Sequence, residues 1–189
     1  MRLTSLAPAD LNEAQRHAEE EAVAGVRGRV PAPMRAWIHS PTFASRAQQL
    51  GAFVRYGTSL APALSELAIL LTARHAACSY VWNAHAPEAR KGGLDPALIA
   101  ALARGETPVP EDPEVAVVID YVSSLLATNR VSAEQHHCAV AAFGEAGLVE
   151  LIGVVGYYTL VSMTMNAFAV ELPAGVTPVF GRADAPVGA

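Results

Sequence analysis

From Leu151 to Val170 the chain runs twenty residues without a formal charge, between Glu150 and Glu171. That is the length of a bilayer span, and a helix apolar on all sides must be hidden from water somewhere. The segment nevertheless carries Tyr157, Tyr158, Thr159, Ser162, Thr164 and Asn166, and its flanks are acidic where a membrane helix would have Arg or Lys anchors. The expectation is a fully buried helix, in a core or an interface, with no membrane partner.

Hydrophobic residues make up 52% of the 189 residues and charged ones 16%. A lone chain of this size carries more surface charge, so self-association is expected. Alanine is abundant and β-branched or aromatic runs are short, which favours an all-α fold. The formal net charge is −5, and the basic residues are single arginines apart from Lys91. No basic face for nucleic acid is visible, and Lys91, in a polar helix end, is a poor Schiff-base lysine. Cys78 and Cys138 lie far apart, and the N-terminus has no apolar leader run, so both thiols are expected reduced in a cytoplasmic protein.

The punctuation divides the chain into helices. Asp10 reads as the cap of a first helix reaching Val26, and Pro31 and Pro33 open a short segment to Ile38. Ser40-Pro41 starts a helix to Tyr56. A long stretch from Pro62 to Arg90 follows, with a kink or restart near His85 because of Pro87. Helices over 96–103 and 113–127 come next, then one capped by Ser132 that ends at Phe143. The uncharged helix follows Gly147 and is stopped by Pro173. Three parts result: an N-terminal helix (1–29), a helical domain (30–172) and a Pro/Gly-rich arm or loose tail (173–189).

The chemistry-bearing residues gather in the second quarter of the chain. Cys78 and His85 are two helical turns apart and share one helix face, about 10 Å apart along a straight axis. A helix beginning at Cys78 would lower the thiol pKa through its N-terminal dipole; otherwise Cys78 is a small core residue. Glu66 precedes the apolar Leu67–Leu71 run, where desolvation suits a general acid or base; the alternative is a solvated helix-start glutamate. His75, His85, His136, His137 and Cys138 lack the spacing of a metal site, so no metal is expected. No phosphate loop or nucleophile elbow occurs either.

Taken in order, Glu66, eleven residues, Cys78, Tyr80, Val81, Trp82 and His85 resemble the core of the carboxymuconolactone decarboxylase / alkylhydroperoxidase D-like superfamily. The 155–168 stretch and the Val30–Pro41 entry are similar to it as well. The resemblance implies an oligomeric alkylhydroperoxidase D-like helical bundle, associated as a trimer or a hexamer. It also implies catalytic Glu66, Cys78 and His85, substrate contacts from Tyr80 and Trp82, and no cofactor. The peroxidase branch has a second cysteine where this chain has Val81, and a valine cannot resolve a sulfenic acid. The leading expectation is a cofactor-free, lyase-like enzyme that transfers protons to or decarboxylates a small organic acid, lactone or carbonyl compound. A single-cysteine, peroxiredoxin-type oxidoreductase using an external thiol is the alternative. A non-catalytic small-molecule binding protein of the same fold is the third.

Overall fold

The computed structural model describes residues 1–181. After a 3-10 turn at Pro8–Asp10, the helices are α1 (Glu13–Ala24), α2 (Met34–Trp37), α3 (Pro41–Tyr56) and α4 (Pro62–His75). They continue with α5 (Ser79–Lys91), α6 (Pro96–Arg104), α7 (Pro113–Thr128) and α8 (Ala133–Ala167). No strand occurs among the described residues, and the all-α expectation holds. Side-chain caps fix several helix starts. Asn12 and Ser132 form reciprocal capping boxes with Gln15 and Gln135, while Asp95 and Asp112 accept backbone N–H groups at the heads of α6 and α7. The first helix is thus capped by Asn12, not by Asp10, which belongs to the preceding turn.

The helix buried on every side is α4. Its ten consecutive residues from Leu64 to Ala73 are all buried, and it packs against α5, α6, α7 and α8. The long apolar α8 differs from expectation. Its inner face (Leu151, Val154, Val155, Tyr157, Tyr158, Val161, Met165) meets α3, α4, α5 and α7. Val149, Ile152 and Met163 stand 70%, 43% and 63% exposed on the outside. The helix is one-sided because α4 already occupies the centre of the bundle. It is also interrupted at Gly144, whose φ of 67° and ψ of 172° lie outside helical space, a conformation open to glycine. At its far end it stops at Ala167, short of Pro173.

Between α4 and α5 the chain turns through Ala76, Ala77 and Cys78, with Ala77 left-handed at φ 48°. The Cys78 amide reaches back to the Ala73 carbonyl at 2.8 Å, closing α4. The break therefore falls at Ala77, and α5 runs on through Pro87 as a single helix. The two helices form an antiparallel pair, which lays the middle of α5 beside the start of α4.

The segment after α8 is docked as far as Gly181. Phe180 is buried, its ring 5.3 Å from Trp82 and 5.2 Å beneath the Arg74 guanidinium. Its amide donates to Ser79 Oγ at 2.9 Å, and Asn83 Nδ2 donates to the Thr177 carbonyl at 3.3 Å. The expected loose tail is a strap over α5 up to that point; the rest of 173–189 lies outside the described residues.

Candidate active site

The α4–α5 pairing brings two of the expected residues together. His85 Nδ1 lies 2.7 Å from Glu66 Oε2, and both side chains are buried. With Nδ1 engaged by the carboxylate, Nε2 is the imidazole nitrogen left for a bound molecule, and Glu66 fixes the ring's orientation. The ring is further held edge-on by Tyr158, with centroids 4.9 Å apart. On its other oxygen, Glu66 faces Arg55 Nε of α3 at 4.0 Å, close enough for charge attraction but too long for a hydrogen bond.

His85 borders a cavity of about 140 Å3. From α5, Tyr80, Val81, Ala84 and His85 face it, the pattern of one helix side; Tyr157, Tyr158, Val161 and Met165 of α8 form the opposite wall. Arg55 enters from α3, and Arg27 and Arg29 enter from the Gly25–Pro33 connection between α1 and α2. Burial raises the phenol pKa of both Tyr157 and Tyr158; the nearby Arg27 and Arg55 charges act against it. Both phenols are neutral hydrogen-bonding groups at physiological pH.

One position makes this packing possible. A Cβ on Gly51 of α3 would fall within 3.0 Å of the Tyr157 hydroxyl and of its ring, and 2.8 Å from Arg27 Nη2. Gly51 thus lets the tyrosine and the arginine cross α3 at close range, where the guanidinium charge works against the rise of the phenol pKa.

Cys78 is placed elsewhere. It is the N-cap of α5, 1% exposed, and does not border the cavity. Burial is the largest influence on the thiol and raises its pKa; the Val81 amide, the Ser162 hydroxyl and the Tyr80 amide pull the other way without reversing it. The helix-terminus lowering expected from sequence is therefore outweighed by desolvation. Ser162 Oγ itself is buried without a well-formed hydrogen bond. The α5 residue that does face the cavity one turn before His85 is Val81. Of the residues expected to touch substrate, Tyr80 lines the cavity, whereas Trp82 packs in the core against Phe180. Cys138 is exposed on α8. Among the described residues no three His, Cys, Asp or Glu side chains gather as metal ligands.

No protein-family model matches the chain, and no curated protein does. Among solved structures it is similar to an uncharacterized peroxidase-related protein from Silicibacter sp. TM1040, with a TM-score of 0.72. The likeness covers 92% of this chain and 91% of that one, at 17% identity. The two chains share an all-helical fold. At that identity the likeness speaks for the architecture and not for a reaction.

The arginines and the two α8 tyrosines carry no local site signal in the sequence. Arg27 and Arg29 flank Gly28 in a stretch bounded by Gly25 and Pro31, a weak sign of a tight connection carrying two cations. Nothing local links that stretch to Arg55 or to His85.

Proposed function

We propose that the chain is a cofactor-free acid–base enzyme acting on a small organic acid, lactone or other carbonyl compound. Proton transfer at His85 Nε2 is its central step, whether it ends in enolisation or in loss of carbon dioxide. The observation that carries this reading is the buried 2.7 Å Glu66–His85 pair, whose imidazole borders a small cavity. A carboxylate on the far nitrogen stabilises the imidazolium formed when Nε2 takes a proton. The phenols of Tyr80 and Tyr158 are suited to donate hydrogen bonds to a carbonyl oxygen as charge develops on it. Cys78, shut from the cavity and protonated, has no part in this scheme.

The single-cysteine hydroperoxidase remains the second reading. It rests on the two α5 amides directed at the Cys78 sulfur and on the peroxidase-related description of the Silicibacter protein. The experiment that separates them follows a panel of small keto acids, lactone acids and ketones in D2O by proton NMR, alongside organic hydroperoxide with a dithiol reductant. Carbon–hydrogen exchange or decarboxylation that His85→Gln and Glu66→Gln abolish, and Cys78→Ser retains, supports the acid–base enzyme. Hydroperoxide turnover that needs Cys78 would overturn it. Saturable binding with no turnover of any kind would make the chain a binding protein.

We also propose that copies associate, as a trimer or a hexamer, through the outer apolar side of α8 together with exposed Leu50 and Phe53 of α3. These side chains are among the large apolar ones that a lone chain leaves in water.

A further inference from the structure

The cavity wall carries three guanidiniums, Arg27, Arg29 and Arg55, and no carboxylate. They come from positions that the sequence shows only as isolated charges. Arg55 has a distant claim on Glu66 at 4.0 Å. Arg27 lies beside Tyr157 at Gly51, and its Nε is buried with no hydrogen-bond partner among the described residues. A buried donor on a charged group is costly to leave unpaired, and three like charges around one small space repel each other. Both costs are removed by one thing, an anion in the cavity.

The rest of the lining says which kind. Pro31, Ala32, Pro33, Val81, Ala84, Val161 and Met165 make the walls apolar, so the occupant needs a hydrocarbon body as well as a charge. A guanidinium fork pairs with a flat carboxylate through two parallel bonds. At about 140 Å3 the space is well below that of drug-sized ligand sites, roughly 300–1,000 Å3.

We infer that this cavity is a carboxylate clamp. Arg27, Arg29 and Arg55 hold the carboxylate of a small organic acid, and its apolar body extends between Val81 and Val161 toward His85. Arg27 is the central contact, half-buried, with its side chain and Tyr157 crossing at Gly51. Arg55 is the second, and exposed Arg29 closes the rim. The assignment names the substrate class for the acid–base site proposed above and rests on that reading only for what happens at His85.

The test is binding, not turnover. Calorimetric titration and ligand-dependent melting are run with acetate, butyrate, crotonate and succinate, with butyramide as an uncharged mimic and inorganic phosphate as a rival anion. At least one carboxylate with a carbon chain should bind saturably and raise the melting temperature, and butyramide should not. Arg27→Gln and Arg55→Gln should each weaken that binding about tenfold or more, as expected for loss of a charge-assisted contact; Arg29→Gln should weaken it less. Arg27→Lys keeps the charge but loses the fork, so it should fall between wild type and Arg27→Gln. If Arg27→Gln does not fold, Arg55→Gln and Arg27→Lys decide the matter.

The clamp is overturned if butyramide binds as well as butyrate, or if phosphate outcompetes every carboxylate. It is equally overturned if no carboxylate binds at millimolar concentration, or if carboxylate affinity is unchanged in the arginine variants. His85→Gln separates the two proposals. Carboxylate binding that survives it, with no acid–base turnover found in the wild type, would leave the clamp standing and remove the enzyme.

Discussion

Replacing Gly51 by alanine offers a direct measure of how tightly the cavity is built. In an ordinary helix interior, glycine to alanine stabilises by about 1 kcal/mol. Here the new methyl would meet the Tyr157 hydroxyl and ring inside 3.0 Å and Arg27 Nη2 at 2.8 Å. The tyrosine cannot swing aside. It is 4% exposed, with Trp37 at 6.2 Å and Tyr158 at 5.4 Å edge-on to its ring. Forcing a methyl into such a contact costs about 1–3 kcal/mol, and a rigid ring argues for the upper end. Against the propensity gain, the net expectation is a loss of about 2 kcal/mol.

For a chain of this size that is a fall in melting temperature of about 4–8 °C, read by circular dichroism at matched protein concentration. Gly51→Ala combined with Tyr157→Phe should recover part of the loss, because the hydroxyl is gone while the ring remains. Gly153→Ala is the control: its nearest atom would be Val54 Cγ1 at 3.9 Å, an ordinary contact, so it should be neutral or stabilising. Gly51→Ala melting at or above wild type would refute the close crossing of α3 by Tyr157 and Arg27.

Cys78 in the wild type should react slowly with Ellman's reagent in the native state and quickly on unfolding, since burial both shields the thiol and raises its pKa. Val81→Cys would put a thiol on the cavity face. On oxidation it should form a disulfide with Cys78 and gain hydroperoxide turnover with an external dithiol, and equal turnover by the wild type would defeat this. Stability should decline at alkaline pH in a defined direction. Cys78, Tyr157 and Tyr158 have folded pKa values above their ordinary 9.0, 10.0 and 10.0, so the unfolded chain loses these protons first. Their contribution is complete below about pH 9 and drains as pH rises toward the folded values, by up to about 1.4 kcal/mol per pH unit per group. Urea titrations should show that slope, and Tyr158→Phe should flatten it. Light scattering at micromolar concentration should give a trimer or a hexamer that Ile152→Glu with Met163→Glu dissociates; a wild-type monomer would end that proposal.

What the sequence shows of this fold is whatever has a local cause. Proline at the first helical position and side-chain caps set the starts of α3, α4, α6, α7 and α8, and those starts are legible. The break between α4 and α5 is not. Ala76 and Ala77 are helix formers, and Ala77 is left-handed only because the packing of both helices over-determines the turn. Pro87 carries the louder signal for a break, yet α5 runs through it. Missing that turn keeps Glu66 and His85 on one continuous stretch of helix, where they cannot meet. The structure folds that stretch back on itself and puts them 2.7 Å apart.

The spacing of Glu66, Cys78 and His85 therefore carries two kinds of information that separate here. Eleven residues from Glu66 to Cys78 are the length of an α4 remainder plus a tight turn, and seven more bring the chain back to the level of Glu66. The spacing encodes the hairpin, and the hairpin makes the acid–base pair regardless of what the intervening residues do. Cys78 occupies the turn itself, where its small size suits a buried N-cap against Ser162. The α5 side chain that faces the cavity one turn before His85 is Val81. A thiol there would meet a bound molecule beside an imidazole, while under the acid–base reading proposed above a valine leaves the imidazole as the reactive group on α5. The same logic explains why the arginines escape a linear reading. Each is a lone charge along the chain, and their meaning lies in the convergence of α3 and the α1–α2 connection on one wall of a small apolar space.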